Sequence, residues 1–418
     1  MVGAPLSRTA ALGLGGQVSG SPVVRGDGRV LVGARDVKLY CLEPDLSGTA
    51  WVADLTPYGS SIYYSSPALD DADNVYITTN RKVVKLSGGG VVLWSWPSHN
   101  SLSIGHSPVI GQDGKVYFGC YSDSLYALTP EGSLAWARPL DNSANGAPAI
   151  GLDGNILVAT TRGTAPWKLW SFEPDGDTAW SFELASGAEY ASPTVGADST
   201  IYVGAGRYLY AVGPNRTLRW RDSLAAMVQS CPAVANESTL YVVAGARLYC
   251  IGTDSVVRWR RTIGGSNYCS PAVDVEGNIY VGAAGGTSGI FFCIDPDSIV
   301  RDSHVLSGDI WSSPAIGENG RVYVGCMNDS LYLFQGPDPA VGELRSAAEP
   351  VQLRLLPNPA RWLVRVVPIG RYSINVYDAS GSLVARATDA DGFDLRGRRR
   401  GVYMVQVAGT APQKVVLR

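Results

Sequence analysis

Few side chains in this sequence are placed to make or break bonds. The three histidines, His99, His106 and His304, fall in no metal-ligand spacing. No GxSxG, HExxH or GxxxxGK(S/T) motif is present, which removes the commonest serine-hydrolase, zinc-protease and phosphate-loop chemistries. Asp70, Asp71 and Asp73 cluster with Asn74 in LDDADNVY and carry enough oxygen for Ca²⁺. The same residues make a tight turn, which is the simpler use. Seven cysteines form an odd set with no CxxC, no CxxCH and no adjacent pair, and most read as small buried hydrophobes. What remains is a group of aromatic and guanidinium side chains at recurring positions. Such groups bind sugars, peptides or small anions without transforming them.

Those positions are set by a repeat. Ser107 to Trp136 reads SPVIGQDGKVYFGCYSDSLYALTPEGSLAW, four short apolar runs bounded by Gly, Asp, Ser or Pro. KVYFG and LYAL have strand chemistry, and Gln112-Asp113-Gly114 supplies a residue suited to positive φ in a tight hairpin. One copy is a four-stranded antiparallel meander. Alone it would leave both apolar faces wet, so it must stack on copies of itself. The opening prolines are Pro22, Pro67, Pro108, Pro148, Pro193, Pro232, Pro271 and Pro314, which gives eight blades at a period near 40 residues. The fourth strand carries Trp51, Trp94, Trp136, Trp180, Trp220 and Trp259 in six copies. One indole per blade at a fixed offset reads as packing against the neighbouring blade.

The eighth copy stops after Leu331-Tyr332-Leu333-Phe334 and lacks a fourth strand. The segment Arg8–Gly16, ahead of the first Pro, is expected to supply it and close the ring, which removes both exposed edges.

In a meander the fourth-to-first and second-to-third connections emerge on one face. The residues three before each Pro are Ser19, Tyr64, Gly105, Asn145, Tyr190, Gln229, Tyr268 and Trp311. Half are aromatic in a chain that is 9% aromatic. His106 lies beside them, and Arg35, Arg81, Arg162, Arg207 and Arg247 lie in second-to-third loops of the same face. The candidate binding set is therefore Tyr64, His106, Asn145, Tyr190, Gln229, Tyr268 and Trp311 with the five arginines, at a channel mouth.

The pattern SSPAxxxxGxxYVG followed by LYAxxPxGxxxW resembles the quinoprotein-type (PQQ-like) repeat. That repeat occurs in eight-bladed quinoprotein dehydrogenases and in outer-membrane assembly propeller lipoproteins. The resemblance covers about residues 5–336 and implies the propeller fold. The dehydrogenases use a vicinal disulfide and a metal-ligating Glu/Asn/Asp set. No adjacent cysteine pair is present here, so the expectation is no quinone and no other cofactor. The lipoproteins carry a lipidated N-terminal Cys, and no Cys precedes Cys41.

Residues 337–350 read as a linker rich in Pro, Gly, Ala and acids. Residues 351–418 lose the period and show about six short strands, a small Ig-like β-sandwich by pattern. This segment resembles the sorting domain of the type IX secretion system through Pro357-Asn358-Pro359, Val376-Tyr377-Asp378 with Gly381, Gly401-Val402-Tyr403 and Lys414-Val415-Val416. The resemblance implies export to the medium or cell surface, with the type IX machinery as a partner. The residues MVGAPLSRTAALGLGGQ lack the apolar core of a secretory leader, and the tail is given precedence. Arg398-Arg399-Arg400 reads as a solvated hairpin tip.

Net charge is −3 with no long basic run, so neither nucleic acid nor an acidic membrane is an expected partner. No apolar stretch reaches the roughly 18 residues of a bilayer span. The leading expectation is an all-β protein, an eight-bladed propeller followed by an Ig-like sandwich, acting as a secreted binding or scaffold protein. Its ligand would be a peptide, a glycan or a small anionic molecule. The alternatives are an extracellular enzyme working on polysaccharide or peptide at the funnel, for which Glu189 and Asp309 are the acids nearest the mouth, and an envelope assembly factor.

Overall fold

The computed structural model describes residues 6–336 except 98–103, 105, 122, 162 and 266–267, and beyond them seven strands between residues 354 and 417. The chain divides into two units, Met1–Gly342 and Glu343–Arg418.

The first unit consists of eight four-stranded antiparallel sheets. Blade five shows the pattern. Its strands are Thr194–Val195, Ile201–Ala205, Tyr208–Val212 and Leu218–Ser223, paired in sequence order. The second strand is buried at every residue, because each sheet is covered on both faces by its neighbours. Eight apolar clusters fill the eight interfaces between successive blades. The last of them, with Val18, Val30, Tyr323 and Leu331, lies between blade eight and blade one.

The circle is shut as the sequence predicts. Ser7–Gly13 pairs antiparallel with Ser330–Gln335 and supplies the fourth strand of blade eight. Leu6 just ahead of it is 1% exposed, and its carbonyl meets His304 Nε2 at 2.9 Å. His304 stands in blade seven, one of the two blades whose fourth strand lacks the repeated Trp.

Hairpin turns fix the register. Gly114 has φ of 78°, the left-handed conformation that glycine adopts without cost. The Asp70 turn is built the same way with more bonds. Its carboxylate accepts from the N–H groups of Ala72 (3.0 Å) and Asn74 (2.9 Å), from Asn74 Nδ2 (2.9 Å) and from the buried Tyr76 hydroxyl (3.0 Å). Burial alone would raise its pKa, but the bonds from Asn74, Tyr76 and Ala72 outweigh it and hold the group below the usual range. Asp274 repeats the arrangement with Asn278 and Tyr280.

The repeated indoles staple blade to blade. Nε1 of Trp51, Trp94, Trp136, Trp220 and Trp259 donates to a carbonyl in the following blade: Gly88, Pro130, Pro174, Thr253 and Pro296, at 2.7–3.0 Å. The seven cysteines are all free thiols, and all but Cys231 are buried. Burial pushes the Cys269 thiol up to about 12.

One element departs from expectation. The first strand of most blades pairs for only two residues, as at Val23–Val24 and Ala68–Leu69. The Pro that opens it has no N–H to give, and the N–H just before it is committed sideways to the next blade, as described below.

The second unit holds a three-stranded sheet, of Arg354–Pro357, Leu363–Val367 and Gly392–Asp394, and a four-stranded antiparallel sheet. The latter comprises Tyr372–Asp378, Leu383–Ala390, Gly401–Val407 and Gln413–Leu417. Seven strands form where about six were expected. Asn358, Pro359, Gly381, Arg398–Arg400 and the segment 337–350 lie outside the described residues.

Candidate functional site

A glycine helps to place the mouth residues of several blades. The second strand carries Gly as its last residue but one in five blades, and a Cβ there would strike an apolar side chain from the next blade's approach to its Pro. At Gly204 it would lie 2.4 Å from Val228 Cγ1, at Gly282 2.2 Å from Ile310 Cγ2, and at Gly325 2.3 Å from Val18 Cγ1. The bare glycine therefore forms a socket. The residue plugged into it is wholly buried, and the residue after it, Gln229, Trp311 or Ser19, is presented at the axis.

Five rings from five blades meet there. Tyr64 stacks with Trp311 at a centroid separation of 6.2 Å and with His106 at 6.0 Å, and meets Tyr190 edge-on at 5.6 Å. Tyr190 contacts Tyr268 at 5.3 Å, and Tyr268 contacts Trp311 at 5.4 Å. These spacings are those of favourable aromatic pairs, so the rings form a closed cluster across the axis. Desolvation, then the Tyr190 hydroxyl nearby, push Tyr64 up to about 12, so it stays a neutral phenol. Tyr190 has φ of 59°, a left-handed backbone that an aromatic residue adopts only under constraint.

Arg35 joins this cluster. Its guanidinium lies 4.8 Å from the Tyr63 ring centroid and 5.7 Å from that of Trp311, in cation–π range. One Nη donates to Gln17 Oε1 at 2.8 Å, while Nε is buried without a partner. The other arginines do not gather with it. The Arg207 Nη donates to the Ala225 carbonyl, Arg81 is exposed, and Arg247 begins a strand paired with Thr262. The loops that carry them differ in length and turn from blade to blade, so a shared face did not become a shared site. Arg162 lies outside the described residues. Gln229 is half-buried, and Asn145 is wholly buried with both amide atoms unpaired.

Beneath the rings lies a feature the sequence reading missed. The residue just before each opening Pro is Ser21, Ser66, Ser107, Ala147, Ser192, Cys231, Ser270 or Ser313. In six places its N–H donates to the side chain of its counterpart one blade on. Ser21 reaches Ser66 Oγ at 2.9 Å, Ser66 reaches Ser107 Oγ at 2.8 Å and Ser192 reaches Cys231 Sγ at 3.3 Å. Cys231 reaches Ser270 Oγ at 2.8 Å, Ser270 reaches Ser313 Oγ at 3.0 Å, and Ser313 returns to Ser21 Oγ at 3.0 Å. Ala147, with no acceptor, interrupts the circle. The rings and this girdle line one cavity of about 140 Å³. The recurrent Ser-Pro pair was the available signal.

Asp70 is spent on its turn, and among the described residues no three His, Cys, Asp or Glu side chains are grouped to hold a metal. Asp309 Oδ1 accepts the N–H groups of Gly285 (2.9 Å) and Gly286 (2.8 Å), so this carboxylate holds a loop.

A sequence profile of the family described as outer membrane protein assembly factor BamB matches residues 2–148 and 79–212, together just over half of the chain. The crystal structure of BamB from Moraxella catarrhalis superposes with a TM-score of 0.64 at 14% identity, over 83% of this chain and 100% of that one. Quinohemoprotein alcohol dehydrogenase from Comamonas testosteroni gives a TM-score of 0.64 at 13% identity, over 85% of this chain and 79% of that one. At such identities these likenesses concern the fold. A ferric nitrobindin-like protein of Corynebacterium diphtheriae is 29% identical over 120 residues, 29% of this chain and 49% of its own length. The chain thus spans about half the length of that curated relative.

Proposed function

This chain belongs to the family of the outer membrane protein assembly factor BamB, and from that membership and the five-ring mouth we propose a non-enzymatic binding or scaffold protein that holds its ligand at the channel mouth. The observation that carries the reading is the meeting of Tyr64, His106, Tyr190, Tyr268 and Trp311 beside Arg35. Such a surface suits a peptide or glycan that lays an apolar face on the rings beside the positive charge of Arg35.

The geometry gives a quinone little support. The rings pack on one another at 5.3–6.2 Å between centroids, which leaves no slot between them for a fused-ring cofactor. Hydrolysis is equally poorly supported, because Asp309 is tied to its loop.

Peptide-library and glycan-array screening of the full chain tests the proposal. The triple variant Tyr64→Ala, Tyr190→Ala, Trp311→Ala is expected to lose ligand binding at least a hundredfold while keeping a β-sheet circular dichroism spectrum. Unchanged affinity would remove the mouth from consideration.

The C-terminal unit is read as a type IX sorting domain that delivers the propeller to the medium or the outer cell surface. Its support is the sequence resemblance over residues 351–418. Among the described residues no helix is long and apolar enough to cross a membrane. Mass spectrometry of fractionated culture is expected to find propeller peptides outside the cells; tail and propeller confined together to the cytosol would sink the export reading.

A further inference from the structure

We infer that the free outer edge of blade six docks an extended acidic segment of a partner protein, which adds to the sheet as a fifth strand. Charge distribution is the first ground. The outermost strands of blades five and six, Leu218–Ser223 and Val257–Thr262, carry Arg219, Arg221, Arg258, Arg260 and Arg261 against one acid, Asp222. The outermost strands of blades one to four carry one arginine, Arg138, against Asp54 and Glu183. Charges that merely kept open edges from sticking would be wanted on every blade. These are gathered on two, in a chain whose net charge is −3.

The second ground is that these arginines lack acidic partners. Elsewhere on the ring cations stand beside carboxylates, as Lys115 does beside Asp113 at 2.9 Å and Arg25 between Asp27 and Asp73 at 3.5 and 3.8 Å. Among the described residues, only Arg219 of the five has one, Asp198. Asp222 keeps its Oδ2 buried and unpaired. Arg221 lies over the rings of Tyr208 and Tyr210, 4.8 and 5.8 Å from their centroids. Arg260 holds the same place in blade six, opposite Tyr249 as Arg221 is opposite Tyr210. There Arg247 stands where Tyr208 does in blade five, so a like charge replaces a ring. Arg260 is exposed and, among the described residues, has neither a hydrogen bond nor an ion pair. Arg258, also exposed, donates only to the Ser238 carbonyl at 3.2 Å.

Shape is the third ground. A groove of about 380 Å³ lies between this edge and Ser223–Ala225 of blade five, with Tyr249, Val257, Arg258 and Arg260 in its wall. Val257–Thr262 is the last strand of its sheet, so its outward N–H and C=O groups have no ladder partner. An extended chain supplies that ladder, and its alternate side chains reach the arginines. A nucleic acid would satisfy the charge and leave the backbone edge unused.

The probe is a dye-labelled heptapeptide of alternating Glu and Thr, added to the full chain at low salt and read by fluorescence anisotropy. Saturable binding is expected, with hydrogen exchange slowed at least tenfold along Val257–Thr262. A peptide with Lys in place of Glu, and one N-methylated throughout, are each expected to bind at least tenfold more weakly. The double variant Arg258→Glu, Arg260→Glu is expected to lose at least tenfold in affinity, and the mouth variant Tyr64→Ala, Tyr190→Ala, Trp311→Ala to lose none. If the double variant fails to fold, the N-methylated peptide decides the matter on the parent chain. No saturable binding, equal binding of the N-methylated peptide, protection elsewhere, or tighter binding of an oligothymidylate of equal charge overturns the proposal.

Discussion

At the scale of single residues, the mouth couples strain to recognition. Tyr190 holds a left-handed backbone that costs an L-residue about 1–2 kcal/mol, and its ring earns back about 0.5–1.5 kcal/mol in each aromatic pair. Tyr190→Gly removes both terms and is expected to change stability by less than about 1 kcal/mol. Tyr190→Ala keeps the strain, loses the ring and should be the less stable of the two in denaturant melts, while both lose mouth binding. The reverse order of stability would show that the backbone is not under strain. Four of the five aromatic positions were legible in the sequence because Tyr64, Tyr190, Tyr268 and Trp311 stand at one distance from the Pro of their blades. The arginines were not, because a shared loop does not fix where a long flexible side chain ends. The serines were visible as letters, but their use was not. Nothing in a Ser-Pro pair says that its N–H turns sideways.

At the scale of the element, the blade is a sheet that becomes stable only through its neighbours. Trp136 illustrates the joint. It is 8% exposed, donates to the Pro174 carbonyl at 3.0 Å and lies 5.7 Å from the Tyr117 ring. Gly176 of the next turn lies flat upon it, since a Cβ there would approach the indole to 2.8 Å. Trp136→Ala is expected to cost about 3–5 kcal/mol, and Trp136→Phe about 1–2 kcal/mol for the lost hydrogen bond and the smaller ring. Equilibrium denaturation measures both, and an alanine cost under about 1 kcal/mol would place the indole outside the load path between blades. The second, third and fourth strands announced themselves through alternating β-branched and aromatic residues. The brevity of the first strand did not, because its hydrogen bonds are drawn off toward the axis.

At the scale of the whole molecule, the ring is a closed set of eight interfaces, and one blade is completed by a strand from the distant end of the chain. Deleting residues 1–13 removes Leu6 and the strand that covers Ser330–Gln335. The expected loss is on the order of 5 kcal/mol. Hydrogen exchange should rise at least tenfold along Ser330–Gln335 while blades three to five keep their protection. Uniform protection after the deletion would show that blade eight stands without its borrowed strand.

The same joint dictates a timetable. Thr9 donates to the Leu333 carbonyl, a contact between residues 324 positions apart. The strand that a ribosome makes before any other in the ring is therefore the last to find its place, and it must wait through the synthesis of all eight blades. Until then the nascent chain exposes two unpaired borders at once, one old and one new. A helper that shields the early strand, or simple speed in the later blades, then decides whether neighbouring copies trade strands or each ring keeps its own.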